Sequence, residues 1–84
     1  GLVARVVPAA ELIDEAVKLG ERIASFSRPV VAMAKEAVNA AFESSLAEGV
    51  RLERRLFQSC FALADRAEGM AAFAEKRKPV FVHR

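Results

Sequence analysis

Eighty-four residues suffice for one small domain at most, and a chain that short hides only about 60–65 % of its unfolded surface. A net charge of +2, with no Trp, no Tyr and six Phe that do not alternate with Arg or Lys, offers neither the basic patch nor the stacking platforms of a nucleic-acid binder. The single Cys60 excludes an internal disulfide and a cysteine-based metal site, and no run approaches the ~20 apolar residues of a membrane helix.

Gly1-Leu2-Val3-Ala4-Arg5-Val6-Val7-Pro8 is rich in β-branched residues and closed by proline, which predicts a short strand. A lone strand has nothing to pair with, so this stub reads as the severed edge of a larger sheet. From about Ala9 to Phe26 the apolar residues Leu12, Ile13, Ala16, Val17, Ile23 and Ala24 recur at helical spacing. Asp14 and Lys18 are set as an i,i+4 pair, and Gly20 shares a face with Ala16 and Ile23. Ser25 to Pro29 breaks the pattern, with Ser27 as the expected N-cap of the next helix and Pro29 in its first turn.

That second helix is predicted from Pro29 to Ala41 or Phe42, its stripe formed by Val30, Val31, Ala34, Val38, Ala41 and Phe42. A third runs from about Ser45 to Leu63, marked by Leu46, Val50, Phe57, Cys60 and Phe61. The fourth opens at Asp65, where Asp65 and Glu68 have the D-x-x-E spacing of a capping box, and ends near Lys76, Arg77 and Lys78 before Pro79. Acids at its start and bases at its end both suit the helix dipole. The whole is all-α: about four helices behind a strand stub, joined by connections short enough that consecutive helices should pack as neighbours. Hydrophobic residues make up 54 % of the chain, more than so small a core can hide. Part of that surface is therefore expected to meet something else.

Glu53 is the oddest position, a carboxylate inside the apolar stripe of the third helix. No second carboxylate or histidine converges on its face, so a structural role bonded to an Arg or to backbone N–H groups is expected rather than catalysis. His83, the only histidine, reads as a solvated tail residue, and Cys60 as a small core residue. Glu48 and Arg51 are placed as a surface pair, with Arg54 and Arg55 continuing the polar face. Lys76, Arg77 and Lys78 can either bind an anion such as phosphate or simply complement the helix end. Phe73 lies three residues before Lys76 on the same face, and an aromatic ring beside an ammonium suits a purine and its phosphate. Phe73 as a core residue is the competing reading. No Ser-His-Asp set, Gly-rich phosphate loop or metal-binding spacing is present.

The run Asp65-x-x-Glu68-Gly69-x-x-Ala72-Phe73-x-x-Lys76-Arg77-x-Pro79-x-Phe81 resembles the C-terminal signature of the crotonase (enoyl-CoA hydratase/isomerase) family. Gly1-Leu2-Val3 with Val6-Val7-Pro8 resembles the last segment of that family's catalytic core. The stretches Pro29 to Ala40, Leu46 to Gly49 and Leu52 to Phe57 resemble enoyl-CoA hydratases in particular.

The resemblance implies that residues 1–8 end a spiral catalytic core and that residues 9–84 form a C-terminal helical, trimer-building region. It implies a parent that reversibly hydrates trans-2-enoyl-CoA to 3-hydroxyacyl-CoA in fatty-acid β-oxidation, with two glutamates and an oxyanion hole supplied upstream. The catalytic residues of that reaction are absent from this chain, which is expected to be inactive by itself. Phe73 and Lys76 match the positions that contact the adenine and phosphate end of coenzyme A. No cofactor is implied beyond the acyl-CoA substrate, and the implied partner is further copies of the chain, as trimer or hexamer, with neither nucleic acid nor membrane. The location implied is cytoplasmic in a bacterium or the mitochondrial matrix in a eukaryote. Two alternatives stay open: an enoyl-CoA isomerase or another acyl-CoA enzyme of the superfamily, and a free-standing helical oligomerisation module. The latter leaves the strand stub without a purpose.

Overall fold

Pro8 ends the N-terminal segment and starts the first helical turn, because its fixed φ suits a helix entry. In the computed structural model, which describes residues 1–84, a 3₁₀ turn at Ala9–Glu11 leads into α1 (Leu12–Ala24). It is followed by α2 (Arg28–Ala40), α3 (Leu46–Ser59), a 3₁₀ turn at Cys60–Ala62 and α4 (Ala64–Glu75). Four helices are present, as the periodicity predicts. Gly1–Pro8 is not a strand: it has no neighbouring ladder to bond, and all of it but Val7 is exposed.

Local chemistry explains most boundaries. Ser45 caps α3, its hydroxyl accepting from the Glu48 N–H at 3.3 Å. Pro29 sits in the first turn of α2. Ala41 and Phe42 fall beyond the end of α2 and are exposed, so the predicted stripe is two residues too long. Along α1, Lys18 pairs with Glu15 at 3.0 Å rather than with Asp14, and Glu15 also receives Arg5 from the N-terminal segment. Glu48 and Arg51 pair at 3.2 Å as expected.

Packing is sparse. The extensive helix–helix contact is α2 against α3, while α4 meets the 3₁₀ turn that precedes it. Short connections thus make neighbours of α2 and α3, but α1 is not packed along another helix in the same way. Cys60 lies half-buried at the α2–α3 seam, 3.6 Å from the Met33 sulfur and bonded to the Leu56 carbonyl, in keeping with a small core residue. Phe57 and Phe61 meet edge to face at 5.5 Å, and the Arg66 guanidinium stands 4.7 Å over the Phe61 ring.

Only Ser27, Asp65 and Ala72 are fully buried. The radius of gyration is 15.8 Å, against about 12 Å for a compact domain of this length. The stripes read from the sequence are real, but most of their residues, Leu12, Ile13, Val17, Val38, Leu46 and Phe57 among them, face outward. Glu53 follows suit. It is exposed and pairs with neither an Arg nor a backbone N–H, because the surface facing its side of α3 is open.

Candidate functional site

The last turn of α4 and the nine residues after it carry the most organised polar chemistry in the chain. After Glu75 the backbone turns sharply: the Arg77 N–H donates to the Ala72 carbonyl at 3.0 Å and the Lys76 N–H to the Phe73 carbonyl at 3.3 Å. This is the paired hydrogen bonding of a Schellman stop. It places Lys76 at φ 55°, ψ 38°, a left-handed conformation normally given to glycine.

From there the chain runs back antiparallel to α4. Val80 N–H donates to Glu68 Oε1 at 2.8 Å, Val82 N–H to Asp65 Oδ1 at 2.7 Å, and His83 N–H to Asp65 Oδ2 at 2.8 Å. The Asp65 N–H answers by donating to the Arg84 carbonyl at 3.0 Å. Phe81 lies over Gly69, where an added Cβ would sit 3.6 Å from the ring. His83 Nδ1 then accepts the Arg28 N–H at 3.2 Å, so the tail reaches the first residue of α2.

These contacts correct three expectations. Asp65 and Glu68 are not a capping box: α4 begins at Ala64, its N-cap position is Leu63, and both carboxylates are turned onto the returning tail. Ser27 occupies the N-cap position of α2 without a capping hydrogen bond; its buried hydroxyl lies beside the Asp65 carboxylate, short of bonding geometry. His83 is not merely a solvated tail residue, because its ring bonds one of the orphan N–H groups of α2.

The electrostatics follow from the geometry. Burial pushes the Asp65 carboxyl up, but the Ser27 hydroxyl and the N–H groups of Val82 and His83 outweigh it and hold the group below its ordinary value. Glu68 accepts both terminal nitrogens of Arg77, at 2.6 and 3.0 Å, and with the Val80 N–H this lowers its pKa to about 2. Glu75 adds a bond to Arg77 Nε at 2.5 Å, and the two carboxylates together raise the guanidinium further. Glu15 is likewise lowered, by Lys18 first and then Arg5, with burial opposing.

The basic cluster is therefore divided. Arg77 is committed to Glu68 and Glu75, whereas Lys76 and Lys78 make no ion pair. Phe73 is 87 % exposed, so it is not a core residue of this chain. Phe73 and Lys76 are joined through the Lys76 N–H bond to the Phe73 carbonyl, which sets an open aromatic ring and a free ammonium in one turn. Two cavities lie elsewhere. One of about 370 Å³ lies between the N-terminal segment and α1, lined by Arg5, Val7, Leu12, Glu15, Lys18 and Arg22 among others. Another of about 280 Å³ lies where Gly20, Ile23, Phe26, Arg28 and His83 converge. No cluster of three His, Cys, Asp or Glu side chains is placed to hold a metal, and no helix is long and apolar enough to cross a membrane.

Comparison with known proteins covers the entire chain. The family pattern described as enoyl-CoA hydratase/isomerase matches residues 1–84. A Rhizobium meliloti (strain 1021) protein named "Probable enoyl-CoA hydratase" is 61 % identical over 84 residues, all of this chain and 33 % of the relative. The mitochondrial enoyl-CoA hydratase of Pongo abelii is 57 % identical over 81 residues, 96 % of this chain and 28 % of the relative. Among solved structures, an enoyl-CoA hydratase subunit from Geobacillus kaustophilus HTA426 superposes with a TM-score of 0.92 at 43 % identity, over 100 % of this chain and 33 % of that one. The chain thus spans about a third of the length of the relatives it matches.

Proposed function

The chain belongs to the enoyl-CoA hydratase/isomerase family, and from that premise we propose that it is the C-terminal helical region of an enoyl-CoA hydratase. In that reading residues 1–8 end the catalytic core and residues 9–84 form the helical domain that assembles subunits and lends side chains to the coenzyme A site. The reaction is reversible addition of water across a trans-2-enoyl-CoA to give the 3-hydroxyacyl-CoA of fatty-acid β-oxidation. Two glutamates and an oxyanion hole in the remainder of the protein perform it, with no cofactor beyond the thioester substrate. Similar proteins are found both in bacteria and in mitochondria, so the location is the cytoplasm or the mitochondrial matrix according to the source.

The observation that carries the local part of this reading is the turn at Phe73–Lys76. In this reading the exposed ring of Phe73 is a stacking face for adenine, and Lys76, which makes no ion pair and follows Phe73 in the same backbone turn, is the cation for the neighbouring phosphate. Arg77 cannot share that task while both its edges are occupied by Glu68 and Glu75. The large apolar surface left open on α1, α2 and α3 supports the assembly role.

The test is to incubate the full-length polypeptide with a trans-2-enoyl-CoA and analyse the products. A 3-hydroxyacyl-CoA supports the hydratase reading. A shifted double bond supports an isomerase of the same superfamily instead, and unchanged thioester with persistent oligomers supports a helical assembly module. The 84-residue chain assayed alone is expected to be inactive.

A further inference from the structure

We propose that Glu68 is a positioning residue for the coenzyme A site, holding Arg77 away from the site so that Lys76 rather than Arg77 presents its charge beside Phe73. The inference rests on the placement of coenzyme A against Phe73 and Lys76 given above, and it assigns to Glu68 a task that neither side chain performs.

Three observations converge on it. Lys76 adopts a left-handed conformation that residues other than glycine and asparagine avoid, so something must hold it there. The Schellman bonds place it there, and one carboxylate anchors the chain beyond them: Glu68 accepts a fork of two bonds from Arg77 and a third from the Val80 N–H, gripping the chain on the far side of the turn. A bidentate guanidinium–carboxylate pair fixes direction as well as distance.

The helical wheel supplies the third observation. Glu68 and Glu75 are seven residues apart and share one face of α4, whereas Phe73 is five residues from Glu68 and points about 140° around the helix. The two carboxylates therefore draw Arg77 to the face opposite Phe73, while the turn leaves Lys76 without a carboxylate within ion-pairing distance. Without Glu68, the segment after the turn loses three hydrogen bonds and the backbone at Lys76 is less firmly fixed beside Phe73. A phosphate then has to bear the cost of ordering both.

The phosphate nearest adenine in coenzyme A is the 3′-phosphate of the ribose, which gives a selective probe. The experiment measures dissociation constants of the full-length protein for coenzyme A and for 3′-dephospho-coenzyme A, together with kcat and KM for an enoyl-CoA. Lys76→Ala is expected to weaken coenzyme A roughly tenfold, as loss of one charge-assisted contact does, and to leave the dephospho compound nearly unaffected. Glu68→Gln is expected to weaken coenzyme A by roughly three- to tenfold with the same selectivity, raising KM and leaving kcat unchanged. The double variant should be no weaker than Lys76→Ala, because Glu68 acts through Lys76. Should Glu68→Gln fold poorly, Arg77→Gln opens the same fork from its other end and should give the same selective loss.

An undiminished affinity in Lys76→Ala overturns the nucleotide-site reading and the inference with it. A weakened Lys76→Ala beside an unaffected Glu68→Gln overturns the positioning role alone. Equal losses for both ligands, or losses that add in the double variant, reduce Glu68 to a general support of the tail and overturn it too.

Discussion

Asp65 and Glu68 stand one turn apart on α4, and each accepts backbone N–H groups from the segment that follows the helix. Both carboxyl groups are held below their ordinary values. The acid form binds less well in the folded state, so the stabilisation each gives is complete above its unfolded pKa and is lost as pH falls through the folded one. For Glu68 the window runs from its ordinary value of 4.5 down to about 2. Amide protection at Val80, followed by hydrogen exchange, should therefore hold at neutral pH and decline on acidification across that window, while protection at Val82 and His83 should decline only as Asp65 protonates below its ordinary value. Glu68→Gln should abolish the acid step at Val80 and spare the one at Val82 and His83. Lys76 makes a second prediction at this scale. Its left-handed backbone costs an L-residue about 1 kcal/mol, so Lys76→Gly should raise stability to urea by about that amount. The same substitution removes the ammonium, so stability and coenzyme A affinity should move in opposite directions.

The spacing of apolar residues gives four helices because α-helical periodicity is a local property, and Pro8, Pro29 and Ser45 mark their starts with local chemistry. What the sequence hides are the partners that arrive from far along the chain. Asp65 and Glu68 have capping-box spacing, and only Val80, Val82 and His83, twelve or more residues on, reveal that they serve the tail instead. A helix stop on Lys76 is equally hard to foresee, since glycine is the usual residue there. Phe73 and Lys76 stand three residues apart in the sequence, whereas the engagement of Arg77 by Glu68 spans nine residues and no local pattern announces it. The tail also makes an element-scale prediction through Phe81, which is half-buried over Gly69. Phe81→Ala should cost about 1–3 kcal/mol in a urea melt, less than a fully buried ring would. Gly69→Ala should be tolerated, because a Cβ at 3.6 Å from the ring makes an ordinary contact. Gly69→Leu should lift the ring and approach the loss seen with Phe81→Ala.

The accessible surface of the whole chain is 7205 Å², whereas a compact protein of 9.1 kDa exposes about 4,900 Å². The difference, about 2,300 Å², is the size of an obligate interface. It is also apolar in character, since Leu2, Val6, Ile13, Val38, Phe42, Leu46 and Phe57 are all more than half exposed. At about 25 cal/mol per Å² of apolar surface, leaving even half of that excess in water forfeits tens of kcal/mol, more than the net stability of a typical domain. The chain therefore has reason to cover this surface, by the rest of a longer polypeptide, by other subunits or by both. Cut away from either, the 84-residue chain should bind a hydrophobic dye and sediment as a concentration-dependent mixture of oligomers. The full-length protein should sediment as a closed trimer or hexamer and leave the dye dark, because the same faces are then occupied. A monomeric, dye-dark isolated chain would mean that its helices close on themselves in solution. The open arrangement, and the assembly role built on it, would then fall together.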